Sequence, residues 1–313
     1  MGRTHRTTVH RALLAGAGLA AAVLAPLARA DDHALILWIG QYADAQVRIV
    51  GVDQDARLAR GMARAMGVPE RNITELKNSQ LTHAGIKSAL AGLQGRIRAG
   101  DSVMLYFSGH GQQRDRVLGG GGCSEGLATF EGGVYYDVLL RDQLDALADV
   151  AKRVVMFNDS CHSGGAVTKS FEPAPTQNPD PESLPKSYPG PVTGGRATAK
   201  SSGDAVDPGY ACGVASNAVS KAMGDVSDRR PGRVLYLAAA AADEAAFPSA
   251  QGSIATRAWS ACLQSGSAFD ADKDGFVSGA ELQRCAQDWV QSKARYRQTI
   301  TVVGNGQLPV GRY

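Results

Sequence analysis

His110 and Cys161 stand 51 residues apart, each directly after a strongly apolar run, in settings that suit a nucleophile and its base. His110 lies in Ser108-Gly-His-Gly111, and Cys161 lies in Asn158-Asp-Ser-Cys-His-Ser-Gly-Gly165. In such a pair a thiolate attacks a carbonyl carbon, an imidazole takes the thiol proton and returns it to the leaving amine, and backbone N–H groups hold the oxyanion. Gly111 and Cys161 are the candidate backbone donors, and the glycines at 109, 111, 164 and 165 let a substrate approach the main chain. Taken singly, the histidine reads as a loop residue and the cysteine as half of a disulfide. His162 competes as the base, but a residue next to the cysteine generally points elsewhere.

Two such residues meet only if the chain carries them to one edge. Residues 33–40 and 101–107 are nearly continuous apolar runs, as is 152–157, and they read as strands buried on both faces. Residues 72–76 read as a short strand and 234–241 as another. Helices are expected over 53–66, 82–97 (capped by Thr82), 142–150, 255–264 and 280–296. This alternation implies an α/β fold, an open and mostly parallel sheet with helices on both faces. Carboxyl ends of parallel strands line the functional edge, so 101–107 and 152–157, if adjacent, bring His110 and Cys161 together.

The two motifs resemble the catalytic signature of metacaspases and bacterial caspase-like peptidases. The resemblance extends, in order, to the opening "ALILWIGQYAD", to "GVDQDA" at Gly51–Ala56 and to "ADEAAF" at Ala242–Phe247, and so covers most of residues 33–290. It implies a caspase-like fold, a His110/Cys161 dyad and hydrolysis of peptide bonds. It further implies cleavage after Arg or Lys through an acidic pocket, with Asp55, Ser108 and Asp159 as substrate-binding residues; paired carboxylates suit a guanidinium. Read alone, Asp55 is an acidic residue at a helix start. The chain departs from the family in two places. Val52 stands where a second cysteine is common, and Thr168 stands seven beyond Cys161 where the activating calcium cluster, which Asp142 partly matches, wants an acid.

A separate calcium motif occupies residues 270–281. Asp270, Asp272 and Asp274 fall at loop positions 1, 3 and 5, Gly275 at the turn, Phe276 at the carbonyl position, Ser278 at 9 and Glu281 at 12. A single EF-hand-like loop suggests local stapling by Ca²⁺ rather than sensing. No organic cofactor is implied.

Arg3, Arg6 and Arg11 precede an apolar run, 12–27, that ends in Ala28-Arg-Ala30; this is a general secretory signal with cleavage expected after Ala30. The run is short and broken by Pro26, so it is not a membrane anchor. Removing residues 1–30 discards four arginines and no acid, taking the formal charge from +3 to −1. That balance offers no case for nucleic-acid binding. The protein is expected to be periplasmic or secreted and to act on a peptide or protein.

Of five cysteines, one as nucleophile leaves Cys123, Cys212, Cys262 and Cys285 for two disulfides. Three pairings are open; Cys262–Cys285, flanking the calcium loop, is the first guess. No Cys-x-x-Cys spacing suggests zinc. Residues 171–208 are rich in proline and read as a linker; the resemblance to caspase-type enzymes implies that it divides a large-subunit-like region, 31–170, from a small-subunit-like region, 209–313. Lys169, Lys186, Arg196 and Lys200 make the stretch after Cys161 a candidate for self-cleavage. A catalytically silent scaffold and a calcium-binding structural protein are the rival readings; a serine hydrolase lacks its Gly-x-Ser-x-Gly elbow.

Overall fold

A computed structural model describes residues 1–2, 30–115, 123–160, 232–241, 244–295 and 297–312. Cys161, His162, Thr168, Lys169, Cys212, the body of the leader and the linker 171–208 with Lys186, Arg196 and Lys200 lie outside them, and of Cys123 only the backbone is described.

The central sheet has six strands: β1 (His33–Trp38), β2 (Ile73–Lys77), β3 (Ser102–Ser108), β7 (Arg153–Asp159), β8 (Val234–Ala238) and β10 (Thr301–Gly304), in spatial order β10-β8-β7-β3-β1-β2. All neighbours are parallel except β10, which runs antiparallel to β8 at the edge. Side chains alternate across each strand, so the apolar runs feed two cores. Ile36, Met104, Tyr106, Val155, Phe157, Leu235 and Leu237 face one core; Leu35, Leu37, Leu105, Phe107, Met156 and Tyr236 face the other.

The first core is covered by α1 (Val52–Ala65), α4 (Ile254–Gln264) and α5 (Gly279–Lys293), which contribute Ala59, Met62, Trp259 and Ala286. The ring of Trp259 meets Phe157 edge-on at 5.3 Å. The second core is covered by α2 (His83–Gln94) and α3 (Asp137–Val150) through Ile86, Leu90, Leu93, Leu140, Leu144 and Leu147. Thr82 caps α2 as expected, its hydroxyl accepting from the Gly85 amide at 3.0 Å.

Some expectations need correction. Helix α3 begins at Asp137, not at residue 142, because the run from Val134 to Leu140 contains both the strand β6 (Val134–Tyr136) and the first helical turn, which periodicity cannot divide. Helix α2 stops at Gln94 before Gly95, and α5 stops at Lys293. Unanticipated is a three-stranded antiparallel sheet of β4 (Gly111–Asp115), β5 (Cys123–Ala128) and β6, whose polar, glycine-bearing residues carry little alternation. Also unanticipated is the pairing of β9 (Phe276–Ser278) with β11 (Pro309–Arg312), which gives the calcium-type loop a strand partner from its own chain.

The guessed cystine is present. Cys262 in α4 is bonded to Cys285 in α5, with Cα atoms 6.0 Å apart and both residues buried in the first core.

Candidate active site

The site is built at the carboxyl ends of β3 and β7, which are neighbours in register: Ser108 pairs with Asp159, the last residue of each strand. His110 follows β3 by two residues and Cys161 follows β7 by two. The amide of Gly109 donates to the Asp159 carbonyl at 3.4 Å, tying the two loop starts together.

The imidazole of His110 is 5% exposed and tilts against the ring of Tyr42, with centroids 5.0 Å apart. Its Nε2 lies 2.8 Å from the carbonyl oxygen of Val47. A carbonyl only accepts, so Nε2 carries hydrogen and the basic lone pair belongs to Nδ1. The ring is thereby fixed in orientation by a backbone carbonyl, with Nδ1 as its acceptor atom. The backbone of the same residue is held by Tyr42, whose hydroxyl accepts from the His110 amide at 2.7 Å. Gly109 makes room for this: a Cβ there would stand 2.9 Å from the Tyr42 hydroxyl and 2.8 Å from the Phe107 ring. Gly111, a candidate oxyanion donor, begins β4 and is buried.

On the face of the sheet covered by α1 and α4, two carboxylates are completely buried. Asp55, in the first turn of α1, accepts from the Ser108 hydroxyl at 2.7 Å, the Ser253 hydroxyl at 2.7 Å and the Ser253 amide at 2.6 Å. It is no solvated helix-start residue. Asp159 accepts from the Thr256 hydroxyl at 2.5 Å. Because that hydroxyl donates to the carboxylate, it accepts from Tyr106, 2.6 Å away, and the three form a directed chain from Tyr106 through Thr256 to Asp159. Burial, with the charges of Asp55 and Asp159 adding to it, holds the Tyr106 phenol well above its ordinary range, so it stays a neutral donor. Directly before Cys161, the Ser160 hydroxyl donates to Asn158 Oδ1 at 2.8 Å, and Asn158 Nδ2 donates to the Tyr236 hydroxyl at 2.7 Å. The residues leading into Cys161 are therefore tied to one another and to β8.

A family model described as the caspase domain matches residues 31–302. The chain belongs to the caspase family. Among curated relatives, Metacaspase-4 of Arabidopsis thaliana is 29% identical over 129 residues, 39% of this chain and 31% of that protein, so this caspase-family chain matches only about a third of its plant relative. Among solved structures, a Geobacter sulfurreducens protein is similar at a TM-score of 0.56 with 14% identity, over 90% of this chain and 99% of that one. Caspase-1 of Spodoptera frugiperda is similar at 0.52 with 11% identity, over 90% of each chain. Likeness at these identities shows the caspase fold, a mostly parallel sheet with helices.

The caspase fold thus gathers Asp55, Ser108, His110 and Asp159 at one edge. Sequence reasoning missed Tyr42, the Val47 carbonyl, Ser253 and Thr256. Tyr42 falls inside the quoted opening motif, which was the available signal. A backbone carbonyl leaves none, and Ser253 and Thr256 read as an ordinary helix start.

The loop at 270–281 lies away from this edge. One oxygen from each of Asp270, Asp272 and Asp274 falls within 4.8 Å of the others. Asp270 accepts from the amides of Lys273 at 2.7 Å and Gly275 at 3.0 Å, and Gly275 takes the left-handed φ of 87° that the turn requires. Glu281 and Ser278 bond each other in a capping box at the start of α5, while Glu281 Oε1 reaches across to the Ala271 amide at 2.7 Å. Phe276 sits in β9. The three aspartates form an all-oxygen, multiply charged donor set with Glu281 folded back over the loop, which fits a hard divalent cation.

Proposed function

We propose that the protein is an exported cysteine endopeptidase in which Cys161 attacks the scissile carbonyl and His110 Nδ1 takes the thiol proton. The observation that carries this reading is the bond from His110 Nε2–H to the Val47 carbonyl, since it commits the ring to the tautomer a thiol base needs. Membership of the caspase family implies peptide or protein substrates. Backbone amides at Gly111 and Cys161 are the oxyanion donors in this reading.

Cleavage after Arg or Lys follows from Asp55 and Asp159, two carboxylates flanking the end of β3, with Ser108 between them. A guanidinium enters by taking over acceptor sites now used by the hydroxyls of Ser108, Ser253 and Thr256. With that preference, Lys169, Lys186, Arg196 and Lys200 are self-cleavage sites. Calcium at residues 270–281 is a structural ligand: Asp270, Asp272 and Asp274, with Phe276, Ser278 and Glu281, would hold it, and its charge would offset theirs.

The test is hydrolysis of fluorogenic peptides ending in Arg, Lys or Asp by the mature protein and by Cys161→Ala. Release from Arg and Lys peptides by the wild type alone is expected. A scaffold cuts none of them, and efficient release after Asp overturns the specificity.

A further inference from the structure

The opposite end of the sheet carries a second arrangement. The amide of Asp31 donates to Asp101 Oδ1 at 2.8 Å, the Ser102 amide donates to Asp32 Oδ1 at 3.0 Å, Asn72 Nδ2 donates to the Asp32 carbonyl at 3.1 Å, and Arg71 pairs with the Asp31 side chain at 3.0 Å. Residues 31 and 32 are thus sewn to the amino-terminal edge of β3 and to the turn before β2, whereas Ala30 is exposed.

Asp101 is 4% exposed, and its other oxygen accepts from the Arg98 amide at 2.8 Å and lies 3.5 Å from His33 Nε2. Among the described residues no lysine or arginine pairs with it. A buried carboxylate is stabilised by a full positive charge set directly beside it. Two independent boundaries fall at the same bond: the leader's small-residue signal ends at Ala30, and the caspase match begins at residue 31.

We propose that the chain is cut between Ala30 and Asp31 and that the α-ammonium so formed is held by the buried Asp101 as a partly buried ion pair. Water, with a signal peptidase as catalyst, breaks the Ala30 C–N bond. The Ala30 carbonyl takes the oxygen and leaves as the carboxylate of the released peptide, and the protons go to the Asp31 nitrogen as –NH₃⁺. The single amide N–H that now faces Asp101 becomes a cation with three donors, which sets a full positive charge beside the carboxylate. Processing is thereby coupled to fastening of the strand whose far end carries Ser108 and His110. The inference does not depend on whether the site cleaves peptides.

The experiment expresses the full chain with its leader in an exporting bacterium, reads the amino-terminal residue of the purified protein by mass, and measures acylation of its α-amine by an activated ester. The expected mature terminus is Asp31. Its amine should react at least about tenfold more slowly in the folded protein than in urea, because an ion pair depletes the reactive free amine. Asp101→Asn should remove that protection. A different terminus overturns the proposal, as does an amine labelled equally fast folded and unfolded, or protection that persists in folded Asp101→Asn. Should that variant not fold, the comparison of folded with unfolded wild type decides alone.

Discussion

The hydroxyl of Thr256 donates to Oδ2 of Asp159 at 2.5 Å across 97 residues of sequence, joining a helix of the late part of the chain to the strand end that leads into Cys161. Thr256→Val keeps the shape but removes the donor and leaves the Tyr106 hydroxyl without that acceptor. A loss of about 1–3 kcal/mol in stability is expected. KM for Arg peptides should rise more than kcat falls if Asp159 recognises substrate, and Thr256→Ser should restore both. Thermal melts and steady-state kinetics check this.

His110→Ala and Cys161→Ala should each lower kcat/KM by about 10³-fold or more, and the double variant should be no worse than either alone, because a nucleophile and its base act as one unit. Circular dichroism should show the fold retained. Additive losses would place the two residues in separate roles.

Reduction of Cys262–Cys285 should destabilise the protein. The bond closes a loop with a sequence separation of 23, for which the loss of chain entropy is worth roughly 3 kcal/mol. Denaturant melts with and without reductant measure it, and non-reducing peptide maps should recover the linked pair. Because α4 also carries Thr256, hydrolysis should weaken in step with the unfolding.

Calcium should raise the melting temperature, with stabilisation of about 2.7 kcal/mol at a hundredfold excess over Kd. Asp270→Ala should abolish the response while leaving peptide hydrolysis at its calcium-free level. A chelator that leaves the wild-type melt unchanged would remove the metal from the reading.

Asp137 is 4% exposed at the start of α3, and burial holds its carboxyl above the usual range, against the opposing pull of the Val138 amide and Arg141. An acid with a raised folded value binds protons more readily in the folded state, so its contribution to stability is full below the unfolded value and is lost as pH rises through the folded one. Asp137→Asn should therefore melt higher than wild type at pH 7, with the gap closing toward about pH 4. Melting curves across that range read the difference.

Much of the framework was legible in the chain itself. The apolar runs of β1, β3 and β7 have no polar face, which demands a sheet covered on both sides, and a parallel sheet gathers the residues just past its strand ends at one edge. Strand parity even decides the side: Ser108 shares a face with Tyr106 and Asp159 with Phe157, so both point toward the core under α1 and α4. The order in which strands lie side by side was not legible, nor was the chain's choice of α4 to cover that face. Those depend on packing between segments some 100 to 200 residues apart, which no local pattern encodes. Hence Asp55, which read alone is only an acidic residue at a helix start and gains a binding role in sequence solely through the family resemblance, is in the fold a buried acceptor of Ser108 and Ser253, the latter 198 residues away. The Val47 carbonyl that sets the His110 tautomer is backbone, identical in every residue, and only tertiary structure decides which one faces the ring.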